Sequence, residues 1–328
     1  MPLSRRDVLK IGALGAGAAL ILKKLPSRVE EQRVLIRKPI PSSGEQLPVI
    51  GLGSAGTFNV YPGQADYAER VEVVRLFRDL GGKVIDTSPT YQRSEIFLGE
   101  ALAQLKATND LFIATKVNVG SGGKNAAIDQ MEESLRTFGR RQIDLIQVWN
   151  LGDSIQRLSP AYLDAHLEAL HELRRAGKVK YIGITTSRDP QYADVEAAMA
   201  KHKLDCVQMD YSIGDRLPEQ RLLPLAREKG IAVIVNRPLT AAPGFGRGRS
   251  GNLFQFVSGR TLPSWAAEFD ARSWAQFFLK FVVSHPAVTV AVPATGDPAH
   301  LRDNMGAGMG RLPTEEMRKR MAEYFAAL

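Results

Sequence analysis

At 328 residues, with 44% hydrophobic and 24% charged side chains, the chain has the composition of a globular protein that could form one large barrel or two ordinary domains. The formal charge of +8 overstates its basicity, because five Lys/Arg and the single acid Asp7 fall within residues 1–27, leaving 38 basic and 34 acidic residues beyond. No basic stripe with interleaved aromatics follows, which argues against nucleic acid as a partner, and the lone cysteine, Cys206, excludes an internal disulfide.

In chain order, the first feature is SRRDVLK (Ser4–Lys10) ahead of the uncharged run IGALGAGAALIL (Ile11–Leu22). That run is short for a membrane-crossing helix but has the length of a signal h-region. With Lys23 and Lys24 behind it, the segment resembles a twin-arginine translocation signal, Val8 standing where the pattern usually carries phenylalanine. The resemblance implies a signal peptide or anchor over 1–27, the Tat translocase as a partner during export, and a periplasmic location for 28–328. The small-x-small cleavage pattern before Lys23 is poor, so the uncleaved anchor stays open, and membrane attachment follows only from it.

After Pro26, VLIRKPIPSSGEQLPVIGLG reads as an N-terminal β-hairpin leading into a strand. Eight strand-like runs then alternate with helical patterns: PVIG, KVID, LFIATKV, IDLIQVW, VKYIGIT, DCVQMDY, IAVIVN and VTVAVP. Helical stretches such as KNAAIDQMEESLRTFG and RLLPLAREKG close on glycine directly before the next strand. Eight such units without a compositional break predict an α/β fold, a closed (β/α)8 TIM barrel, whose chemistry belongs at the carboxyl ends of the strands.

Three polar side chains fall at that face. Asp86 ends the second strand, Tyr91 follows in its loop, and Lys116 ends the third. Alternation puts Phe112, Ala114 and Lys116 on one face, aiming the lysine into the barrel mouth. An ammonium beside a phenol lowers its pKa, and a carboxylate keeps a buried ammonium charged. Together the three suit protonation of a carbonyl oxygen. Glycine-rich GFGRGRSG (Gly244–Gly251) lacks a strand-to-helix setting; it reads either as a surface loop or as a flap whose Arg247 and Arg249 close on a pyrophosphate.

From the hairpin to VPATGDPAHLRDN, these motifs stand in the order of the aldo-keto reductase family, which the chain resembles over nearly everything after residue 33. The resemblance implies a carbonyl reductase using NADP(H), with NAD as the alternative, and a small-molecule carbonyl substrate. It assigns Asp86, Tyr91 and Lys116 as catalytic acid, proton donor and lysine. Trp149 replaces the family histidine at the end of the fourth strand, and indole neither titrates nor shuttles protons, so reduced or unusual activity is expected. The resemblance further implies Thr185, Thr186 and Gln208 for the nicotinamide, Asn236 in place of a stacking tyrosine, and Arg237, Pro238 and Leu239 beside it. Thr295, His300, Asp303 and Asn304 fall at the adenosine end, where Ala294 replaces a frequent lysine. The rival reading is an exported dinucleotide-binding barrel with little turnover. No metal is expected, since the five histidines show no ligand spacing.

Overall fold

The computed structural model describes residues 34–150, 160–187, 191–242 and 251–328; the signal-like segment 1–27 and the loop arginines Arg247 and Arg249 lie outside them. The chain enters through an antiparallel hairpin of β1 (Arg37–Pro39) and β2 (Gln46–Pro48), with Lys38 opposite Leu47. Eight parallel strands follow: β3 (Leu52–Gly53), β4 (Val84–Asp86), β5 (Phe112–Val117), β6 (Ile143–Val148), β7 (Val179–Thr185), β8 (Cys206–Asp210), β9 (Ala232–Asn236) and, beyond a short ribbon of β10 (Thr240–Ala241) and β11 (Gly251–Asn252), β12 (Val288–Ala291).

Each strand pairs with its predecessor, β12 pairing with β9. Hydrogen bonds from Gly51 N to the Ala291 carbonyl (2.8 Å) and from Gly53 N to the Pro293 carbonyl (3.1 Å) join the ends, closing the expected barrel. The first strand differs slightly from the expected PVIG: its ladder begins at Leu52, and Ile50 contributes a single bridge to Ala291.

Around the barrel stand α1 (Tyr67–Asp79), α2 (Ser94–Gln104), α3 (Gly123–Phe138), α4 (Pro160–Arg175), α5 (Tyr192–Lys201), α6 (Leu222–Lys229), α7 (Trp274–Val283), α8 (Pro298–Gly306) and α9 (Glu315–Ala326). Two of the sequence-marked glycines end their helices in the left-handed region, Gly139 at φ 59° and Gly230 at φ 65°, where a Cβ is disfavoured.

Strand alternation divides the apolar residues into two cores. One lies between strands and helices; the other fills the barrel with Phe112, Ala114, Leu145, Tyr181 and Ile234 among others. Ile40 and Leu47 from the hairpin join the inner core, sealing the end of the barrel opposite the carboxyl ends of the strands. Along the same inward positions the character then turns polar: Phe112 and Ala114 lead to Lys116, Leu145 to Gln147, Tyr181 to Thr185, and Cys206 to Gln208. All four polar side chains are buried. A barrel so filled is apolar at its base and charged at its mouth.

Candidate active site

The charged centre forms where β4 and β5 lie side by side, Asp86 pairing in register with Ala114. Lys116, only 1% exposed, donates to Asp86 Oδ1 at 2.9 Å, Asp86 Oδ2 at 2.8 Å and the Thr87 carbonyl at 2.8 Å. An ammonium has three N–H bonds, so all three donors find acceptors. Gln208, on β8, reaches across the mouth and donates to Asp86 Oδ1 at 2.7 Å.

Tyr91 arrives from the loop after β4. Its amide donates to the Ser88 carbonyl at 3.0 Å, and the next residue, Gln92, is left-handed at φ 53°. Lys116 Nζ lies over the Tyr91 ring, 5.0 Å from its centre, so the ammonium and the aromatic face attract. Burial disfavours the Lys116 charge, but Asp86 and Tyr91 outweigh it and lift the lysine above its ordinary pKa. For Tyr91, burial raises the phenol pKa above its ordinary value, and the opposing pull of Lys116 does not overcome it. The expectation of a more acidic tyrosine is thus corrected. Desolvation of the phenolate exceeds the attraction of a cation whose charge Asp86 already shares.

Trp149 follows β6 and is half-buried at the mouth, its amide donating to the Val117 carbonyl at 3.0 Å. Asn150 turns left-handed (φ 47°) and donates its amide to Thr185 Oγ1 at 2.8 Å. Arg237, just past β9, is also left-handed (φ 49°) and pairs with Asp210 at 2.8 Å. Non-glycine residues in this region cost about 1 kcal/mol or more each. Gln92, Asn150 and Arg237 thus place strained backbone at or beside the cleft.

A cleft of about 990 Å³ connects these groups, running from Tyr91 and Trp149 past Gln208 and Asn236 to His300 and Asn304. Asp86, Tyr91, Trp149, Thr185, Gln208, Asn236, Arg237, Pro238, Leu239, Thr295, His300, Asp303 and Asn304 all line it. Lys116 sits behind Asp86. Thr186 does not line it: its hydroxyl turns away and donates to Gln191 Oε1 at 2.6 Å. Consecutive strand residues face opposite ways, so only one threonine of the pair can point inward. Asp303 Oδ1 is held by Ser273 Oγ at 2.9 Å and Gln276 Nε2 at 2.8 Å.

Sequence reasoning missed Asp210, Ser54, Asn150 and the rim aromatics Phe254 and Trp274. Only Asp210 carried a signal, being two residues beyond Gln208 on the same strand face. A larger groove of about 1300 Å³ lies outside the barrel beside Arg227, Phe281 and Arg318. It contains none of the Asp86–Lys116–Tyr91 cluster, and the smaller cleft is the candidate site.

Among known proteins, the model of the aldo/keto reductase family matches residues 49–322. A methylglyoxal reductase from Escherichia coli is 28% identical over 277 residues, covering 82% of this chain and 88% of that protein. A probable aldo-keto reductase from Glycine max is 24% identical over 301 residues, covering 85% and 86%. A Klebsiella pneumoniae aldo-keto reductase solved in complex with NADPH superposes with a TM-score of 0.70 at 23% identity, covering 89% of this chain and 96% of that one.

Proposed function

The chain belongs to the aldo/keto reductase family, and from that premise we propose that it is an NADP(H)-dependent oxidoreductase reducing a carbonyl group, with Tyr91 as proton donor. One observation carries this reading: a fully buried Asp86–Lys116 ion pair set against a phenol at the floor of a long cleft. The cleft also fits a dinucleotide. At about 990 Å³ it stands at the top of the usual range of roughly 300–1,000 Å³ for small-molecule sites. Among the described residues, two that line it keep buried oxygens without protein partners, Ser54 Oγ and Asn236 Oδ1, and such atoms call for a ligand or water.

Gln208, Thr185 and Asn236 would hold the nicotinamide end, Arg237, Pro238 and Leu239 the pyrophosphate, and Thr295, His300, Asp303 and Asn304 the adenosine. Thr186 can contribute only through its backbone. When bound, the nicotinamide supplies a hydride. Tyr91 remains a neutral phenol and donates its proton to the carbonyl oxygen. Lys116 then stabilises the phenolate, Asp86 keeps Lys116 charged, and Gln208 fixes the orientation of Asp86. Trp149 offers one N–H and no titrating group, so protonation rests on Tyr91 alone.

Purified protein assayed with NADPH and a panel of small aldehydes and ketones tests this. Turnover that Tyr91→Phe lowers by roughly a hundredfold or more, with nucleotide binding retained, supports the assignment; equal turnover in the variant refutes it. Trp149 favours a second reading, a dinucleotide-holding barrel with little turnover, which predicts bound nucleotide that no carbonyl oxidises. We also read residues 1–27 as a Tat signal: replacing Arg5 and Arg6 by lysine should retain the protein in the cytoplasm, and unchanged fractionation would refute export by this route.

A further inference from the structure

Helix α8 begins at Pro298 behind the capping residue Asp297, whose Oδ1 accepts from the amides of Ala299 at 2.6 Å and His300 at 3.3 Å. Free amides at a helix start are natural phosphate ligands. Here a carboxylate of the chain already takes them, and their hydrogen bonds hold its pKa below the ordinary range, so it stays charged at neutral pH.

The neighbouring polar groups face the same residue. Thr295 Oγ1 accepts from the Asp297 amide at 3.1 Å and donates to the Asp297 carbonyl at 3.5 Å, and exposed His300 has Nδ1 3.7 Å from Asp297 Oδ2. Arg70 reaches this turn but donates to the carbonyls of Gly296 (2.5 Å) and Thr57 (3.0 Å) and pairs with Glu69 at 2.8 Å. It packs so closely that a Cβ on Gly296 would lie 2.3 Å from its guanidinium carbon. Ala294, in the same turn, has no side-chain donor.

We infer that this end of the cleft gives a ribose 2′-phosphate little advantage, so that the protein accepts NADH about as well as NADPH, with Asp297 as the residue that sets this balance. The inference rests on the dinucleotide reading above. Among the described residues of this turn, a phosphate dianion meets the fixed negative charge of Asp297, while the guanidinium of Arg70 is already engaged with Gly296, Thr57 and Glu69 and His300 stands beside the same carboxylate. A ribose 2′-hydroxyl, by contrast, can donate to a carboxylate. Removing one carboxylate charge near a dianion at a solvent-exposed edge is worth roughly three- to tenfold in affinity.

The test is titration of the purified full-length protein with NADH and with NADPH, followed by dihydronicotinamide fluorescence and repeated on Asp297→Asn. Asparagine caps helices as well as aspartate, so α8 is preserved while the charge is lost. The two dissociation constants should agree within about tenfold in the wild type, and the variant should tighten NADPH about three- to tenfold relative to NADH. A wild-type preference for NADPH above about 100-fold, or an unchanged ratio in the variant, overturns the inference and leaves the proposed function standing. Binding of neither nucleotide overturns the dinucleotide reading, and the inference with it.

Discussion

Lys116→Met is the sharpest probe of the barrel mouth. Methionine roughly fills the lysine's space, so the main loss is the ammonium. That loss strips a donor from both oxygens of Asp86 and from the Thr87 carbonyl, all within 2.9 Å of Nζ. Asp86 is 4% exposed and keeps the 2.7 Å bond from Gln208. Deleting one partner of a buried ion pair costs about 3–5 kcal/mol, because a charge is left in a poorly solvated place. The mouth adjoins a cleft that admits water, so the lower end, about 3 kcal/mol, is expected at pH 7. Combining Lys116→Met with Asp86→Asn leaves no unpaired charge; the double variant should therefore be more stable than the two single losses together imply, by at least about 2 kcal/mol. Urea unfolding followed by circular dichroism measures all three variants against wild type. A single-variant loss below about 1 kcal/mol, or strictly additive losses, would refute the claim that these charges depend on each other.

Trp149→His returns a titrating, proton-donating ring to the mouth, and kcat/KM on small aldehydes should rise by roughly ten- to a hundredfold; an unchanged value would show that Trp149 does not limit the chemistry. His285 is held to a pKa of about 4, first by burial and then by the Arg318 charge, and its Nδ1 accepts from the Ala287 amide at 3.2 Å. The unfolded chain takes up that proton near pH 6.5 and the fold only near 4, so stability is intact above pH 6.5 and falls between the two, by up to about 2 kcal/mol after solvent screening. His285→Gln should flatten that part of the stability–pH curve, which unfolding midpoints from pH 7 to 4 would reveal. In Gly99→Ala the new methyl would lie 2.2 Å from the Thr137 carbonyl oxygen, and a loss of about 1–3 kcal/mol in urea is expected because backbone must shift; a neutral result would show that α2 and α3 slide apart freely.

Barrel, hairpin and strand ends were legible because each rests on local periodicity. A period of two along LFIATK fixes that Lys116 shares a face with Phe112 and Ala114, and closure turns that face into the interior. The same rule also shows why Thr185 and Thr186 cannot both point inward. Partner choice across the mouth was not legible: Gln208 meets Asp86 from 122 positions away, and Arg237 meets Asp210 across two strand ends. Such pairs depend on barrel radius and stagger, which no short window of sequence encodes.

The tyrosine shows a harder limit. Residue types alone give an attraction between Lys116 and Tyr91, and its sign is right, since the lysine does pull the phenol pKa down. What they omit is how much water the fold removes from the phenol and how much of the lysine's charge Asp86 takes up. Both quantities belong to the closed mouth, and both work against ionisation. The phenol therefore stays protonated near neutral pH and is ready to donate. Its cost falls on the conjugate phenolate, which Lys116 must stabilise without help from an imidazole. A mouth built this way keeps an acid loaded more readily than it discharges one. For that reason the Trp149→His experiment bears on rate, and the Tyr91→Phe experiment on whether there is a reaction at all.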